Sequence, residues 1–298
     1  MTIGVAWVRT THQGAQELLI VSDSRLNGAG YLDASPKVFT LPRSDAAICF
    51  AGDTYFAYPL IAQIAQSINS HFPLRDRAID YVRFRSHVIN LLNAILEHYD
   101  TYVKELKNPD TSFLLGGYSW FKKQFCIDQI FYNKGKSHFT YKECKKGIGN
   151  FGKVLFVGDW SKEASHRLHT LLKERYGVES LSRAYKVNRA FHYEPFEVVR
   201  DLLREAGPHE TIGGAPQIVA VSQHMNSRHT AVFWPNRSAD RVFLGGRPVF
   251  DFENIENWIL DPDTFESIHL QFNSVGSTML NTDAPSVDER KAPWQSQL

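Results

Sequence analysis

Strand-like runs arriving in hairpin pairs, interrupted twice by pairs of helices, constrain this chain more than any single motif does. Residues 2–9 and 17–22 are apolar and β-branched and are joined by a polar turn around Gly14. Residues 36–41 and 46–51 repeat the pattern across Pro42-Arg43-Ser44-Asp45. Asp53 or Thr54 then supplies a helix N-cap, and Leu60, Ile61, Ile64, Ala65 and Ile68 mark one face of a helix over 55–70. Beyond Pro73, the stripe Ile79, Val82, Val88, Leu91, Leu92 and Ile95 predicts a longer helix over 76–106, ended by Asn108-Pro109-Asp110. Strands return at 112–119, 124–132 and 137–143, the last two joined by Asn133-Lys134-Gly135-Lys136. A strand at 153–157 precedes helices over 161–175 and 195–205, the second opened by Pro195 and closed before Gly207-Pro208. Strands at 217–223, 229–234 and 241–244 complete the series. Paired strands with helices in pairs predict an α+β fold, with helices layered outside stacked antiparallel sheets. Residues 254–270 carry Ile255, Trp258, Ile259, Leu260, Phe265 and Ile268, which predicts a short appended helix. Residues 273–298, rich in Ser, Thr, Asp and Pro, predict a mobile tail. The expected division is a main domain over 1–250 and a C-terminal extension over 251–298.

Composition removes several classes of function. Apolar residues make up 43% of the chain and charged residues 22%, enough apolar surface for a sizeable core. Thirty-three basic residues balance 32 acidic ones, so no net field favours nucleic acid or an anionic membrane as partner. No apolar run reaches the roughly 18 residues of a membrane span. The N-terminus has no basic segment followed by a long apolar stretch, so no signal peptide is expected. Cys49, Cys126 and Cys144 are few, odd in number and far apart. They suit neither a metal site nor a disulfide framework, and a reducing cytoplasm is the expected compartment. His166 and His169 share a helix face, but no third ligand lies nearby in sequence, and they are read as a solvated face. No cofactor is expected.

The chain starts Met1-Thr2-Ile3-Gly4-Val5-Ala6-Trp7. Thr2 is small enough for Met1 to be trimmed, which would leave a hydroxyl and a free α-amine on one Cα. Such a residue carries its own nucleophile and its own base. The alternative is an ordinary frayed start of a strand.

Further segments resemble the proteasome β-subunit family of N-terminal-nucleophile hydrolases, and within it the bacterial HslV-type peptidase. Val21-Ser22-Asp23-Ser24-Arg25 is similar to the family's apolar strand closing in Asp-x-Arg. Pro36-Lys37-Val38-Phe39 resembles the lysine that opens its third strand. Phe50-Ala51-Gly52-Asp53-Thr54 is similar to the turn before its first helix. Phe113-Leu114-Leu115-Gly116-Gly117-Tyr118, with Ile127-Asp128 on the next strand, resembles its central hairpin. The resemblance covers residues 2–245 and implies a four-layer αββα sandwich.

It further implies that the Thr2 hydroxyl attacks a peptide carbonyl, that Lys37 lowers neighbouring pKa values and that Asp23 holds Lys37. The Gly52 N–H would face the oxyanion, and Arg25 would belong to the same catalytic set. Asp159, after Gly158, stands where the family has a serine beside the amine. Glu210 or His209 stands in place of a family aspartate. Phe50, Thr54 and Tyr58 are expected to line the adjacent pocket. Two registers are open: Thr2 as the nucleophile, or Thr2 as the family's second threonine with Met1 at the nucleophile position and no catalysis. The implied function is threonine-type proteolysis of peptides or unfolded proteins by a homo-oligomeric ring. A separate AAA+ ATPase would feed it, since no Gly-x-x-x-x-Gly-Lys-Ser/Thr loop occurs in this chain. An amidase acting on a small amide and a non-catalytic scaffold subunit are the alternatives. Without the resemblance, Asp23 and Arg25 read as a surface ion pair and Lys37 as an exposed lysine.

Overall fold

The first strands are apolar at nearly every position, and successive side chains point to opposite faces, so each strand can serve two cores at once. The computed structural model of the chain describes residues 2–11, 14–28, 30–98, 109–145, 147–148, 151–176, 190–253 and 255–271. The first part comprises β1 (Ile3–Thr10), β2 (Gln16–Ser22), the short β3 (Leu26–Asn27) and β4 (Tyr31–Leu32), β5 (Val38–Thr40) and β6 (Ala46–Gly52). Helices α1 (Thr54–Ser70), α2 (Phe72–Arg75) and α3 (Tyr81–Glu97) follow, then β7 (Thr111–Ser119), β8 (Gln124–Asn133), β9 (His138–Glu143) and β10 (Val154–Gly158). After α4 (Ser161–Tyr176) and α5 (Glu194–Glu205) come β11 (Gln217–Ser222), β12 (Ser227–Phe233), β13 (Val242–Leu244), β14 (Arg247–Pro248), β15 (Glu256–Leu260) and β16 (Ser267–Gln271).

The fold is mixed α+β. A larger sheet runs β10-β1-β2-β11-β12-β13-β14, and an antiparallel sheet runs β5-β6-β7-β8-β9. Val5, Trp7, Leu19 and Val21 pack with Leu168 and Leu172 of α4 and Phe196, Val199 and Leu202 of α5. Their neighbours Ala6, Leu18 and Ile20 point the other way and pack with Ala47, Cys49, Leu114 and Ile127 of the second sheet. Ile48, Phe50, Phe113 and Leu115 turn to the far side of that sheet, against α1 and α3. Cys49, Cys126 and Cys144 are all buried thiols that pack within the apolar cores. Among the described residues no helix is long and apolar enough to cross a membrane.

Two expected elements differ. The single helix over 76–106 is instead a short α2, a turn at Arg77 with φ 63°, and α3 starting at Tyr81. Asp80 sets that start by accepting the Val82 N–H at 3.2 Å; residues 99–108 lie outside the described set. The helix expected within 254–270 is the β15–β16 hairpin, and β15 pairs in parallel with β12. Adjacent residues explain it: Ile259 packs with Ala231, Phe233 and Val242, and Leu260 faces the α4–α5 core. Burial on two opposite sides is a strand property. The expected tail over 273–298 also lies outside the described residues.

Candidate active site

The ladder between β1 and β2 pairs Gly4 with Ser22, which sets Thr2 beside Asp23 just past the strand ends. On the other flank Ile3 pairs with Gly158 of β10. Asp23 turns its carboxylate back under this junction. It accepts the backbone N–H groups of Ile3 at 3.2 Å, Arg25 at 3.2 Å and Gly213 at 3.4 Å. Lys37, one residue before β5, reaches the same carboxylate at 2.9 and 3.0 Å and the Thr2 hydroxyl oxygen at 2.8 Å. Thr2 is 1% exposed, and Asp23 and Lys37 are wholly buried. The surface readings of Asp23 and Lys37 are therefore wrong. Burial pushes the Asp23 carboxyl above the ordinary carboxylate range, and the Lys37 ammonium with the N–H groups of Ile3 and Arg25 draws it back.

Arg25 does not pair with Asp23 through its side chain. Its guanidinium grips Asp33 at 2.6 and 2.8 Å and donates to the carbonyls of Gly207, Pro208, Glu210 and Ile212. It thereby shapes the loop that brings the Gly213 N–H to Asp23. The side chains of His209 and Glu210 face solvent, and neither hydrogen-bonds to Asp23 or Lys37. Asp159 is exposed and makes no hydrogen bond among the described residues, while the preceding Gly158 is packed tightly. Gly158 has φ +95°, and a Cβ there would sit 1.9 Å from the Thr2 carbonyl oxygen and 3.5 Å from the Ala51 Cβ. Ala51–Gly52 thus runs beside Thr2. Gly52 itself has φ +108°, and a Cβ would lie 2.0 Å from the Asp110 carbonyl oxygen, so this corner also requires glycine.

The expected pocket residues separate. Phe50 is wholly buried in the core against α1 and α3 and lines no open pocket. Period-2 alternation is the reason: Cys49 and Ala51, not Phe50, share the face toward β1. Tyr58 packs edge-on against Phe50 at 5.2 Å and donates its hydroxyl to the Pro36 carbonyl at 2.9 Å, which fixes the chain just before Lys37. Thr54 is the half-buried first residue of α1.

Gln217, the first residue of β11, gave no signal in the sequence. Its buried side-chain amide accepts the N–H groups of Lys37 at 2.9 Å and Val38 at 3.3 Å and donates to the carbonyls of Asp23 at 3.0 Å and Ser35 at 2.7 Å. One side chain thus ties the segment bearing Asp23 to the segment bearing Lys37. Ser22 adds a hydroxyl bond to the Ile3 carbonyl at 2.9 Å. Beside Lys37, burial pushes the Cys49 thiol to about 12, which keeps it protonated.

The result is a hydroxyl, an ammonium and a carboxylate in contact in a dry site. An ammonium on the hydroxyl oxygen stabilises negative charge developing there, and the carboxylate keeps the ammonium in place. No protein-family model matches the chain, and no curated protein matches it.

Proposed function

We propose that this chain is an amide hydrolase of the N-terminal-nucleophile type, a threonine peptidase akin to proteasome β-subunits and the HslV-type enzyme. The observation that carries this reading is the buried contact of the Thr2 hydroxyl with Lys37, itself held by Asp23. The three packed cores, helix on sheet, sheet on sheet and sheet on helix, support a four-layer αββα sandwich. Removal of Met1 frees the Thr2 α-amine, whose reference pKa of about 8 leaves a useful neutral fraction near neutrality. Thr2 Oγ attacks the amide carbonyl carbon while its proton passes to that amine. The C–N bond breaks, the proton leaves with the amine product, and an ester to Thr2 remains. Water then cleaves the ester to release a carboxylate and restore the hydroxyl. Lys37 steadies the oxygen, and the Gly52 N–H faces the oxyanion. Such donors are worth on the order of 100-fold to 1,000-fold in rate. In this reading a ring of identical chains acts on unfolded protein in the cytoplasm, fed by a separate AAA+ ATPase.

A small-amide amidase shares this chemistry and differs in pocket and assembly. Intact-mass measurement and an epoxyketone probe test the nucleophile. Loss of Met1, with labelling abolished in Thr2→Ala, is the expected result. Retained Met1, or labelling that survives in Thr2→Ala, refutes it. Turnover of fluorogenic peptides and a ring by light scattering separate the peptidase from a monomeric amidase.

A further inference from the structure

Away from Thr2, the first half of β12 borders a cleft of about 640 Å³ that Asp23 and Lys37 do not reach. Its origin lies in the sheet. Strands β11 and β12 pair from Ile218↔Thr230 to Val221↔Ser227, and Ser222 N donates to the Asn226 carbonyl at 2.8 Å. Antiparallel alternation then turns the N–H and C=O of Arg228 and Thr230 toward β11, and those of Ser227 and His229 toward the opposite edge. Strand β15 pairs with β12 only at Ala231 and Val232. Before that point the two strands part, and residues of both line the cleft.

The lining has unspent hydrogen-bonding capacity. Arg228 is exposed and makes no ion pair among the described residues. Thr40 and Ser227 add hydroxyls, and the indole of Trp258 stands edge-on to His269 at 5.1 Å. The one carboxylate, Glu256, lies 3.7 Å from His269 Nε2. Among the described residues of the lining, Arg228 carries a full charge left without an ion pair, so the complementary ligand carries acceptor oxygens. A single guanidinium presents two parallel N–H groups, which one carboxylate takes in a fork-to-fork pair.

We propose that this cleft binds a small organic carboxylate with an aromatic body. Arg228 takes the carboxylate through two N–H groups, and Trp258 covers the ring. The site does not depend on any chemistry at Thr2.

Titration of the full chain with para-fluorophenylacetate, followed by fluorine NMR, tests it. Saturable binding is expected, weakened about tenfold or more in Arg228→Ala and also weakened in Arg228→Lys, which keeps the charge but loses the fork. Arg247→Ala should bind as the wild type does, because that guanidinium engages Glu253 outside the cleft. Thermal melting checks that each variant is folded. No saturable binding to the wild type overturns the proposal. So does equal binding of Arg228→Ala, which would put the probe elsewhere, or equal binding of neutral para-fluorophenylacetamide, which would mean that the carboxylate is not recognised.

Discussion

Lys37 is a cation held where water does not reach, and its retention depends on Asp23. Removing one member of such a pair leaves the other charge buried, whereas removing both does not. Lys37→Met is therefore expected to cost about 3–5 kcal/mol of stability. The double variant Lys37→Met/Asp23→Leu should recover part of that loss, although the N–H groups of Ile3, Arg25 and Gly213 then lack their acceptor. Urea denaturation of the two single variants and the double variant gives the coupling directly, and additive losses would show that the pair is not energetically linked. A second residue-scale expectation concerns His229. Burial holds its pKa below the ordinary 6.5, so between those two values the unfolded chain binds more protons than the folded one. Its contribution to stability is fully present above 6.5 and is lost as pH falls toward the folded value. His229→Gln should show a smaller loss of stability than the wild type between pH values on either side of that range. An unchanged slope would count against a buried neutral imidazole.

The starts of α1 and α3 are each set by a single aspartate, and the two do unequal work. Asp53 caps α1 through one bond to the Tyr55 N–H at 2.9 Å. Asp80 caps α3 and also accepts the Ser119 hydroxyl at 2.9 Å and the Phe121 N–H at 3.2 Å, which ties the helix to the β7–β8 hairpin. Asp53→Ala should cost about 1 kcal/mol, and Asp80→Ala about 2–3 kcal/mol because buried donors lose their partner too. Equal losses by thermal or chemical melting would mean that the Ser119 and Phe121 bonds contribute nothing. Elements of this kind were legible because period and caps are local: β1, β2, β6, α1, α4 and α5 all formed within a residue or two of expectation. The hairpin at β15–β16 was not, because Trp258, Ile259 and Leu260 suit a helix stripe or a strand equally, and the deciding partner, β12, lies far away in sequence. The same distance hid the role of Gln217, whose bonds to Lys37 and Asp23 span 180 and 194 residues. Lys37 became readable only through its spacing from Asp23 and the family likeness, since an isolated lysine in a strand gives no sign of burial.

The molecule as a whole is held by cores that share strands. Strand β1 sends Val5 and Trp7 to the helices and Ala6 to the other sheet, so the backbone carrying Thr2 is fixed from both sides. Four segments then converge on one point, the ends of β1 and β2, the start of β5 and the start of β11, with Gln217 spanning the last three. At the far margin of the larger sheet the arrangement is thinner. A small core of Ala231, Phe233, Val242 and Ile259 is closed by β15, which contacts β12 through only two register pairs. If residues 251–271 were a detachable appendage, truncation after Phe250 would leave the melting temperature unchanged. The contacts of Ile259 and Leu260 argue otherwise, because truncation uncovers Phe233 and part of the α4–α5 core. Ile259→Ala should cost about 2–5 kcal/mol and lower the melting temperature on the order of 10 °C. The truncated chain should melt lower still and bind a hydrophobic dye before unfolding. A truncated chain that melts like the full one would make the hairpin an accessory of the fold.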